Sequence, residues 1–303
     1  MKVVITGANG TIGRQLAAEL DAHGHVPVRL DLQDAGQAPG EFVKVDLTRI
    51  EHVEAVTRGA DGVVHLARVP FPYTANGYDA ATRTWRQPDR VGDAQRLNVN
   101  LAMTCNVLAA ARAAGLRKIV MGSSFAVYGL YYPSRPLLPD YLPIDESHRR
   151  RPDDAYGLTK SLGEHLADSY ADFAEMQIAS LRFPGVSRES PESIAARQHD
   201  PMKRGIGGLW TYVDARDAAL ACRLALDADF AGHEAFNICA PNTFMNVPTD
   251  ELLRRYLPGV PCHRTHSAEN WASYDSSKAA RMLGFKPRYV LPFSPAAVPT
   301  TAV

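Results

Sequence analysis

The chain has 303 residues, long enough for one large α/β domain or a main domain with a smaller lobe. Hydrophobic residues make up 46% and charged residues 22%, so the chain can bury a sizeable core and is not compositionally disordered. The 33 Lys and Arg balance the 33 Asp and Glu, which excludes a bulk binder of nucleic-acid phosphates, and no apolar run approaches the roughly 18 residues of a membrane span.

Short apolar segments alternate with segments of helical periodicity through the first two thirds of the chain, which predicts a parallel sheet. The predicted strands are 2–6, 26–31, 42–46, 62–66, 118–123 and 177–183. The predicted helices are 12–23, 50–58, 94–114 and 156–173. Two proline-rich segments, 69–93 and 130–154, are predicted to be long irregular loops, and loops of this length are usually functional or disordered.

The alternation weakens after residue 183. An irregular segment over 184–208 precedes further predicted elements, which are a helix at 217–226, a strand at 235–239 and helices at 249–256 and 276–283. We therefore divide the chain into a sheet domain over 1–183, to which some later segments return, and a region over 184–303 that mainly forms a smaller lobe.

The N-terminus and the cysteines indicate a cytoplasmic protein. The first apolar stretch ends at Gly7, too early for a secretory signal. The four cysteines, Cys105, Cys222, Cys239 and Cys262, lie far apart and form no CxxC pair. A disulfide framework or a metal site is therefore not expected.

A GxxGxxG sequence follows the first predicted strand, where residues 6–13 read TGANGTIG. At a strand-to-helix turn, Gly7 permits the tight turn, Gly10 lets backbone N–H groups approach a diphosphate, and Gly13 lets the helix pack on the strand. The position of the motif predicts a bound dinucleotide, with a purely structural turn as the alternative.

Asp31 closes the second predicted strand, near the offset at which a carboxylate accepts hydrogen bonds from an adenosine ribose. This favours NAD, because a 2′-phosphate would meet a fixed negative charge. Arg29 and Arg14 could still accommodate NADP, and Asp31 could instead be a solvated strand-end residue. Two further strand ends, Asp46-Leu47 and His65-Leu66-Ala67, lie where an adenine and the crossing cofactor are expected.

Tyr156 and Lys160 are four residues apart at the start of a predicted helix, so the phenol and the ammonium share one face. The pKa of a free tyrosine is about 10. A lysine and an oxidised nicotinamide are both positively charged, so they would stabilise a phenolate. Ser124 follows a predicted strand at the edge where doubly wound sheets bind ligands, so it could hold a substrate oxygen. Taken separately, the pair could be solvent-exposed and Ser124 could bond locally.

In this order and spacing, the glycine loop, Ser124 and the Tyr156/Lys160 pair resemble the extended short-chain dehydrogenase/reductase family, the NAD-dependent epimerase/dehydratase group. The resemblance continues through 100–108, 181–183, 212–217 and 275–287, so it covers nearly the whole chain. It implies an α/β fold with a Rossmann-type doubly wound parallel sheet and a small C-terminal substrate-binding lobe.

The resemblance also implies residue roles. The family's catalytic serine, tyrosine and lysine correspond to Ser124, Tyr156 and Lys160, and its structural asparagine corresponds to Asn100. The predicted NAD-binding residues are Gly7, Gly10, Thr11, Ile12, Gly13, Asp31, Asp46, Leu47, Leu66, Ala67, Asn100, Tyr156, Lys160 and Phe183.

Two departures from the family pattern bear on the substrate. Gly185 stands where nucleotide-sugar epimerases of the group carry an asparagine that helps to hold the diphosphate, and Met103 replaces a helix glycine. Both favour a smaller substrate, as in the family's uronate dehydrogenases. Four cations in the 184–208 segment could still clamp a diphosphate, namely Arg188, Arg197, Lys203 and Arg204.

These observations predict an NAD-dependent oxidoreductase that acts on a carbohydrate-type hydroxyl of a sugar or sugar acid. A nucleotide-sugar epimerase, such as a UDP-sugar 4-epimerase with transient oxidation, and a catalytically silent NAD-binding sensor are the alternatives. We expect the protein to bind a small carbohydrate and neither nucleic acid nor a membrane. A homodimer is a possible oligomeric state. The segment 69–93 is predicted to be a mobile flap over the pocket, with an oligomer contact as the alternative.

Overall fold

The structure is a computed structural model that describes residues 1–36, 38–71, 78–79, 84–85, 90–131, 137–187, 206–263 and 268–293. Its strands are β1 (Lys2–Thr6), β2 (Val26–Asp31), β3 (Glu41–Lys44), β4 (Gly62–His65), β5 (Tyr78–Asp79), β6 (Thr84–Trp85), β7 (Lys118–Ser124), β8 (Gln177–Phe183), β9 (Gly185–Ser187), β10 (Tyr212–Asp214) and β11 (His233–Asn237). Its α-helices are α1 (Thr11–Ala22), α2 (Ile50–Thr57), α3 (Arg90–Ala113), α4 (Ala155–Ala174), α5 (Ala215–Asp227), α6 (Thr249–Tyr256) and α7 (Ser277–Leu283). Short 3-10 helices cover Phe125–Tyr128 and Ile206–Gly208.

Seven strands form one parallel sheet in the order β11-β8-β7-β4-β1-β2-β3. The chain begins in the middle of the sheet, builds outward through β2 and β3, and then crosses to β4 on the other side of β1. This reversal opens a crevice between the carboxyl ends of β1 and β4, which is where such sheets bind ligands. The predicted α/β fold with a Rossmann-type doubly wound parallel sheet is confirmed.

Residues on β1 illustrate how the sheet buries both faces. Val3 and Ile5 belong to the core on one side, together with Leu16 of α1, whereas Val4 belongs to the core on the other side, together with Val63 of β4. Successive side chains of a strand point to opposite faces, so a strand with a helix layer on each side is apolar throughout. This explains why the strands were recognisable as continuous apolar runs.

The six strands and four helices predicted for the first two thirds of the chain are all present, with ends shifted by a few residues. Two predictions of irregular structure are wrong in part. The pair β5–β6 and the start of α3 fall inside the proline-rich 69–93 segment, and β9, which pairs with β10, falls inside 184–208. Strands of two or three residues are too short to produce a readable periodicity.

Segments after residue 183 contribute to two regions. β11 pairs with β8 at one edge of the main sheet, and α5 packs against α1. A separate apolar cluster joins the 3-10 helix after β7 to later residues, including Phe125, Tyr128, Trp210, Trp271 and Tyr274. The division of the chain at residue 183 remains a prediction.

Two further findings concern only the part of the chain that the structure describes. No helix in it is both long enough and apolar enough to cross a bilayer. Nor does it bring together three or more His, Cys, Asp or Glu side chains as a metal ion would require.

Candidate cofactor and substrate site

A cavity of about 640 Å³ runs along the carboxyl ends of the strands, across the crevice between β1 and β4. The predicted site residues that line it are Gly7, Gly10, Thr11, Ile12, Gly13, Asp31, Asp46, Leu47, Leu66, Ala67, Ser124, Tyr156, Lys160 and Phe183. The structure therefore brings the glycine loop, the acidic strand end and the Ser/Tyr/Lys group to one cavity.

The glycine loop forms a tight cradle at one end of this cavity. Gly7 has a φ of 69°, and a Cβ there would lie 2.7 Å from the Cα of Ala67. A Cβ on Gly13 would lie 2.5 Å from the carbonyl oxygen of Gly7. Gly10 is the N-cap residue of α1, and no side chain in the described chain caps that helix. An uncapped helix N-terminus behind a loop that tolerates only glycine fits the diphosphate of a dinucleotide.

Asp31 presents its carboxylate at the carboxyl end of β2. Its Oδ2 accepts a hydrogen bond of 2.9 Å from the backbone N–H of Asn9, so the carboxylate is fixed to the glycine loop. Each of the two arginines that could accommodate NADP has a partner in the structure. Arg29 is buried with its guanidinium 5.6 Å from the centroid of the Phe42 ring, and Arg14 donates to the carbonyl of Asn9 at 2.9 Å.

The adenine end of the predicted site is held by local hydrogen bonds. Asp46 accepts from the hydroxyl of Thr48 at 2.7 Å and from its N–H at 3.0 Å, and these bonds lower the pKa of Asp46 below its usual value. Asn106 of α3 donates from Nδ2 to the carbonyl oxygen of Leu47 at 2.9 Å. Sequence reasoning placed Asp46 and Leu47 here but did not identify the supporting role of Asn106.

A buried pair, Thr6 and His65, joins the ends of β1 and β4. The Thr6 hydroxyl lies 2.8 Å from Nδ1 of His65, and Nε2 of His65 lies 3.2 Å from the hydroxyl of Thr104. Because Thr104 itself donates to the carbonyl of Asn100, His65 donates from Nε2 and accepts at Nδ1. Burial, followed by the ammonium of Lys160, lowers the pKa of His65 to about 3, so the ring is neutral. Sequence reasoning treated His65 as a strand end and missed this pair.

Asn100 does not line the cavity, although it was predicted to bind the cofactor. It is buried behind the cavity wall, where its Oδ1 accepts from the N–H of Val69 at 2.7 Å and its Nδ2 donates to the carbonyl of Val69 at 3.1 Å. Asn100 therefore has a structural role, because both polar groups of its side-chain amide fix Val69 in the cavity wall. A direct contact of Asn100 with the cofactor stays a prediction.

Lys160 is held between α4 and β7. Its Nζ donates to the carbonyl oxygen of Gly122 at 2.6 Å and lies 6.0 Å from the centroid of the Tyr156 ring. Burial is the main cause that lowers the pKa of Lys160 to about 8, the Arg68 guanidinium adds to it, and the carboxylate of Glu164 opposes it. The ammonium is therefore a weakly hydrated charge directly beside the phenol.

The two neighbouring serines have different partners. Ser124 accepts a hydrogen bond of 3.2 Å from the N–H of Ala126, so it caps the 3-10 helix, and its hydroxyl hydrogen can still be donated into the cavity. Ser123 donates to Oε1 of Glu164 at 2.6 Å. Of the two hydroxyls, the one on Ser124 is the better placed to hold a substrate oxygen.

Glu164 anchors the layer beneath these residues. It is buried and forms two hydrogen bonds with Arg182, of 2.9 and 2.8 Å, and one of 2.9 Å with Arg150. Burial raises the pKa of Glu164, but the bonds from Arg182 outweigh it, so the group remains a carboxylate. Arg182 also donates to the hydroxyl of Tyr128 at 2.9 Å. The network ties α4 to β8 and to the 3-10 helix, which fixes the relative positions of the elements that carry Ser124, Tyr156 and Lys160.

Arg68 lines the cavity and was missed by sequence reasoning, which stopped one residue earlier at Ala67. Its guanidinium carbon lies 5.6 Å from the centroid of the Tyr156 ring, and Phe71 contacts the same ring at a centroid distance of 5.7 Å. The sequence did contain a signal for Arg68, because a charged residue directly after a strand end at the crevice is a candidate ligand-binding residue.

Both departures from the family pattern lie at the cavity. Met103 lines the wall, so its bulk reduces the space there. Gly185 also lines it, and its N–H donates to the hydroxyl of Tyr131 at 2.8 Å. Sequence reasoning identified Met103 and Gly185 but not Tyr131.

Two predictions fall largely on residues that the structure does not describe. Val69 and Pro70 line the cavity, but 72–77, 80–83 and 86–89 lie outside the described residues, so the flap over 69–93 remains a prediction. The four cations of the 184–208 segment, Arg188, Arg197, Lys203 and Arg204, also lie outside the described residues.

Comparison with known proteins agrees with this architecture. A model of the NAD dependent epimerase/dehydratase family matches residues 3–239. A UDP-glucose 4-epimerase from Corynebacterium glutamicum is 26% identical over 323 aligned positions, which cover 95% of this chain and 92% of that protein. A uronate dehydrogenase from Pseudomonas syringae pv. tomato is 27% identical over 195 positions, which cover 63% of this chain and 62% of that protein.

The fold is also found among solved structures. A short-chain dehydrogenase/reductase superfamily protein from Agrobacterium tumefaciens, crystallised with bound NAD, superimposes with a TM-score of 0.70. It is 22% identical, and the match covers 96% of this chain and 94% of that one.

Proposed function

Because the chain belongs to the NAD dependent epimerase/dehydratase family, we propose that it is an NAD-dependent dehydrogenase that oxidises a hydroxyl of a sugar or sugar acid without a nucleotide. The observation that carries this proposal is that Ser124, Tyr156 and Lys160 line the same cavity as the glycine cradle. A proton acceptor, a cation and a hydroxyl donor therefore lie beside the place where a dinucleotide fits.

NAD, when bound, supplies the acceptor for the two electrons that leave the substrate carbon with its hydrogen. In the proposed reaction, the Tyr156 phenolate takes the proton of the substrate hydroxyl as the carbon–oxygen bond becomes a carbonyl. Lys160 stabilises the phenolate by its charge, and Ser124 donates a hydrogen bond that orients the substrate oxygen. The buried, neutral His65 keeps the neighbouring wall fixed through its hydrogen bonds with Thr6 and Thr104.

Two features favour a substrate without a nucleotide. The residue at position 185 has no side chain with which to hold a diphosphate, and its N–H is already bonded to Tyr131. Met103 narrows the wall where the family pattern has glycine. A nucleotide-sugar epimerase is the second candidate, and the UDP-glucose 4-epimerase that matches nearly the whole chain favours it. An NAD-binding sensor is disfavoured, because it would not need Ser124, Tyr156 and Lys160 together.

A substrate screen tests the proposal. The protein is mixed with NAD and a panel of free sugars, sugar acids and UDP-sugars, and the absorbance of NADH is followed. The proposal expects NADH to accumulate with a free sugar or sugar acid and not with a UDP-sugar. Calorimetry with UDP and GDP separates the second candidate, since micromolar binding of either nucleotide would favour the epimerase.

A further inference from the structure

Arg68 is held rigidly by its neighbours in the chain. The N–H of Ala67 donates to the hydroxyl of Thr6 at 3.2 Å, and the amide of Asn100 binds both the N–H and the carbonyl of Val69. Buried polar groups thus fix the backbone on both sides of Arg68. Such support for one cavity-lining residue is what a preorganised binding group requires.

The side chain of Arg68, by contrast, has no polar partner among the residues that the structure describes. Within the described chain its guanidinium forms no hydrogen bond and no ion pair, and it lies over the Tyr156 ring. The carboxylate of Glu164, which lies below the site, is occupied by Arg182 and Arg150. Arg68 lines the cavity, and no described residue binds any of the five N–H donors of its planar guanidinium.

Two cations meet at this end of the cavity. Arg68 and Lys160 both lie against the Tyr156 ring, at 5.6 and 6.0 Å from its centroid. The charge of Arg68 helps to lower the pKa of Lys160, so the two cations repel each other. A bound anion would relieve that repulsion. The fit of a guanidinium to two oxygens in one plane makes a carboxylate or a phosphate the matching group.

We infer that Arg68 is a specificity-determining residue that binds an anionic substituent, a carboxylate or a phosphate, on the carbohydrate substrate. The inference rests on the proposed function, because it places the substrate hydroxyl at Tyr156 and the anion beside it. The cofactor diphosphate is not the expected partner, since its place is the cradle of Gly7, Gly10 and Gly13 at the start of α1.

Calorimetry on the protein saturated with NADH tests the inference with three sugars that differ only at C6, namely D-glucose, D-glucuronate and D-glucose 6-phosphate. We expect at least one anionic sugar to bind at least about tenfold more tightly than glucose, because a hydrogen bond to a charged group is lost in the neutral sugar. Comparison of D-glucuronate with D-glucose 6-phosphate shows whether a carboxylate or a phosphate is preferred.

The variant Arg68→Gln should remove that preference, and Arg68→Lys should restore part of it by keeping the charge. Arg112→Gln is the matched control, because Arg112 also lies over a tyrosine ring, at 5.5 Å from the centroid of Tyr170, but does not line the cavity. Its preference among the three sugars should equal that of the wild type.

Three results would overturn the inference: equal binding of the three sugars to the wild type, a preference that survives in Arg68→Gln, or a loss of NADH affinity in Arg68→Gln without a change in sugar preference. The readout is binding, so it does not depend on turnover. If no sugar yields NADH, the proposed dehydrogenase fails, while the binding preference still decides the role of Arg68.

Discussion

Lys160 donates a hydrogen bond of 2.6 Å to the carbonyl oxygen of Gly122. The bond joins the second turn of α4 to β7, two residues before Ser124. The helix that carries Tyr156 and the strand that carries Ser124 therefore cannot shift independently. One contact thus sets the relative position of the groups that we propose to bind and deprotonate the substrate.

Replacing Tyr156 with Phe should abolish the acid–base step and leave the cofactor site intact. The ring would keep its contacts with Phe71 and Arg68, so only the hydroxyl is lost. We expect turnover to fall by about 10²- to 10⁴-fold and the affinity for NADH to change by less than about twofold. Single-turnover absorbance and NADH fluorescence measure the two quantities. Retention of most of the activity would place the base elsewhere.

Replacing Lys160 with Met should stabilise the protein without cofactor at pH 7 while it abolishes turnover. Burial lowers the pKa of Lys160 in the folded protein to about 8, whereas a lysine in the unfolded chain has a pKa of about 10.5. Because the pKa is lowered in the folded state, the contribution of Lys160 to stability is fully present above pH 10.5 and is lost as the pH falls from 10.5 to about 8. The variant has no ammonium at this position, so its free energy of unfolding does not decrease in this way.

Below pH 8 the free energy of unfolding should be about 2 kcal/mol higher for Lys160→Met, after subtraction of about 1 kcal/mol for the lost hydrogen bond to Gly122. Urea unfolding at pH 7, 8.5 and 10 measures this gap. It should shrink as the pH rises, and a gap that stays constant with pH would contradict the explanation.

The wild type should bind NAD at least about tenfold more tightly than NADP, because the fixed carboxylate of Asp31 repels a 2′-phosphate. Asp31→Asn should reduce this ratio by removing the charge. Asp34→Asn is a control that alters a nearby carboxylate, which is bound to Arg29 and does not line the cavity. Calorimetry with both cofactors measures the ratios. Equal or tighter NADP binding by the wild type would show that Arg14 or another cation outweighs Asp31.

The sheet was predictable from the sequence because its strands are buried on both faces and its glycine loop lies at a strand-to-helix turn. Local motifs also located Asp31, Ser124 and Lys160. By contrast, the pairing of Thr6 with His65 and the hydrogen bonds of Asn100 to Val69 depend on contacts between distant segments, which no local spacing encodes. The very short strands β9 and β10 were missed for the same reason, since they form only by pairing with each other.

Asn100 and Asn106 support opposite ends of the cavity, so their variants should have different effects. Asn100→Ala removes two hydrogen bonds to Val69 next to Arg68, and it should raise the KM for the sugar more than that for NAD. Asn106→Ala removes the bond to Leu47 and should do the reverse. Each should cost about 1–3 kcal/mol of stability, because a buried backbone group loses its partner. Steady-state kinetics with both substrates varied compares them, and equal effects on both KM values would contradict the assignment.

The stoichiometry of NADH released per sugar consumed distinguishes the proposed dehydrogenase from an epimerase. It is measured with the best substrate from the screen, by absorbance for NADH and by chromatography for the sugar. We predict one NADH for each sugar molecule oxidised, in the wild type and not in Tyr156→Phe. Conversion of the sugar to an isomer without accumulation of NADH would contradict the dehydrogenase and identify an epimerase.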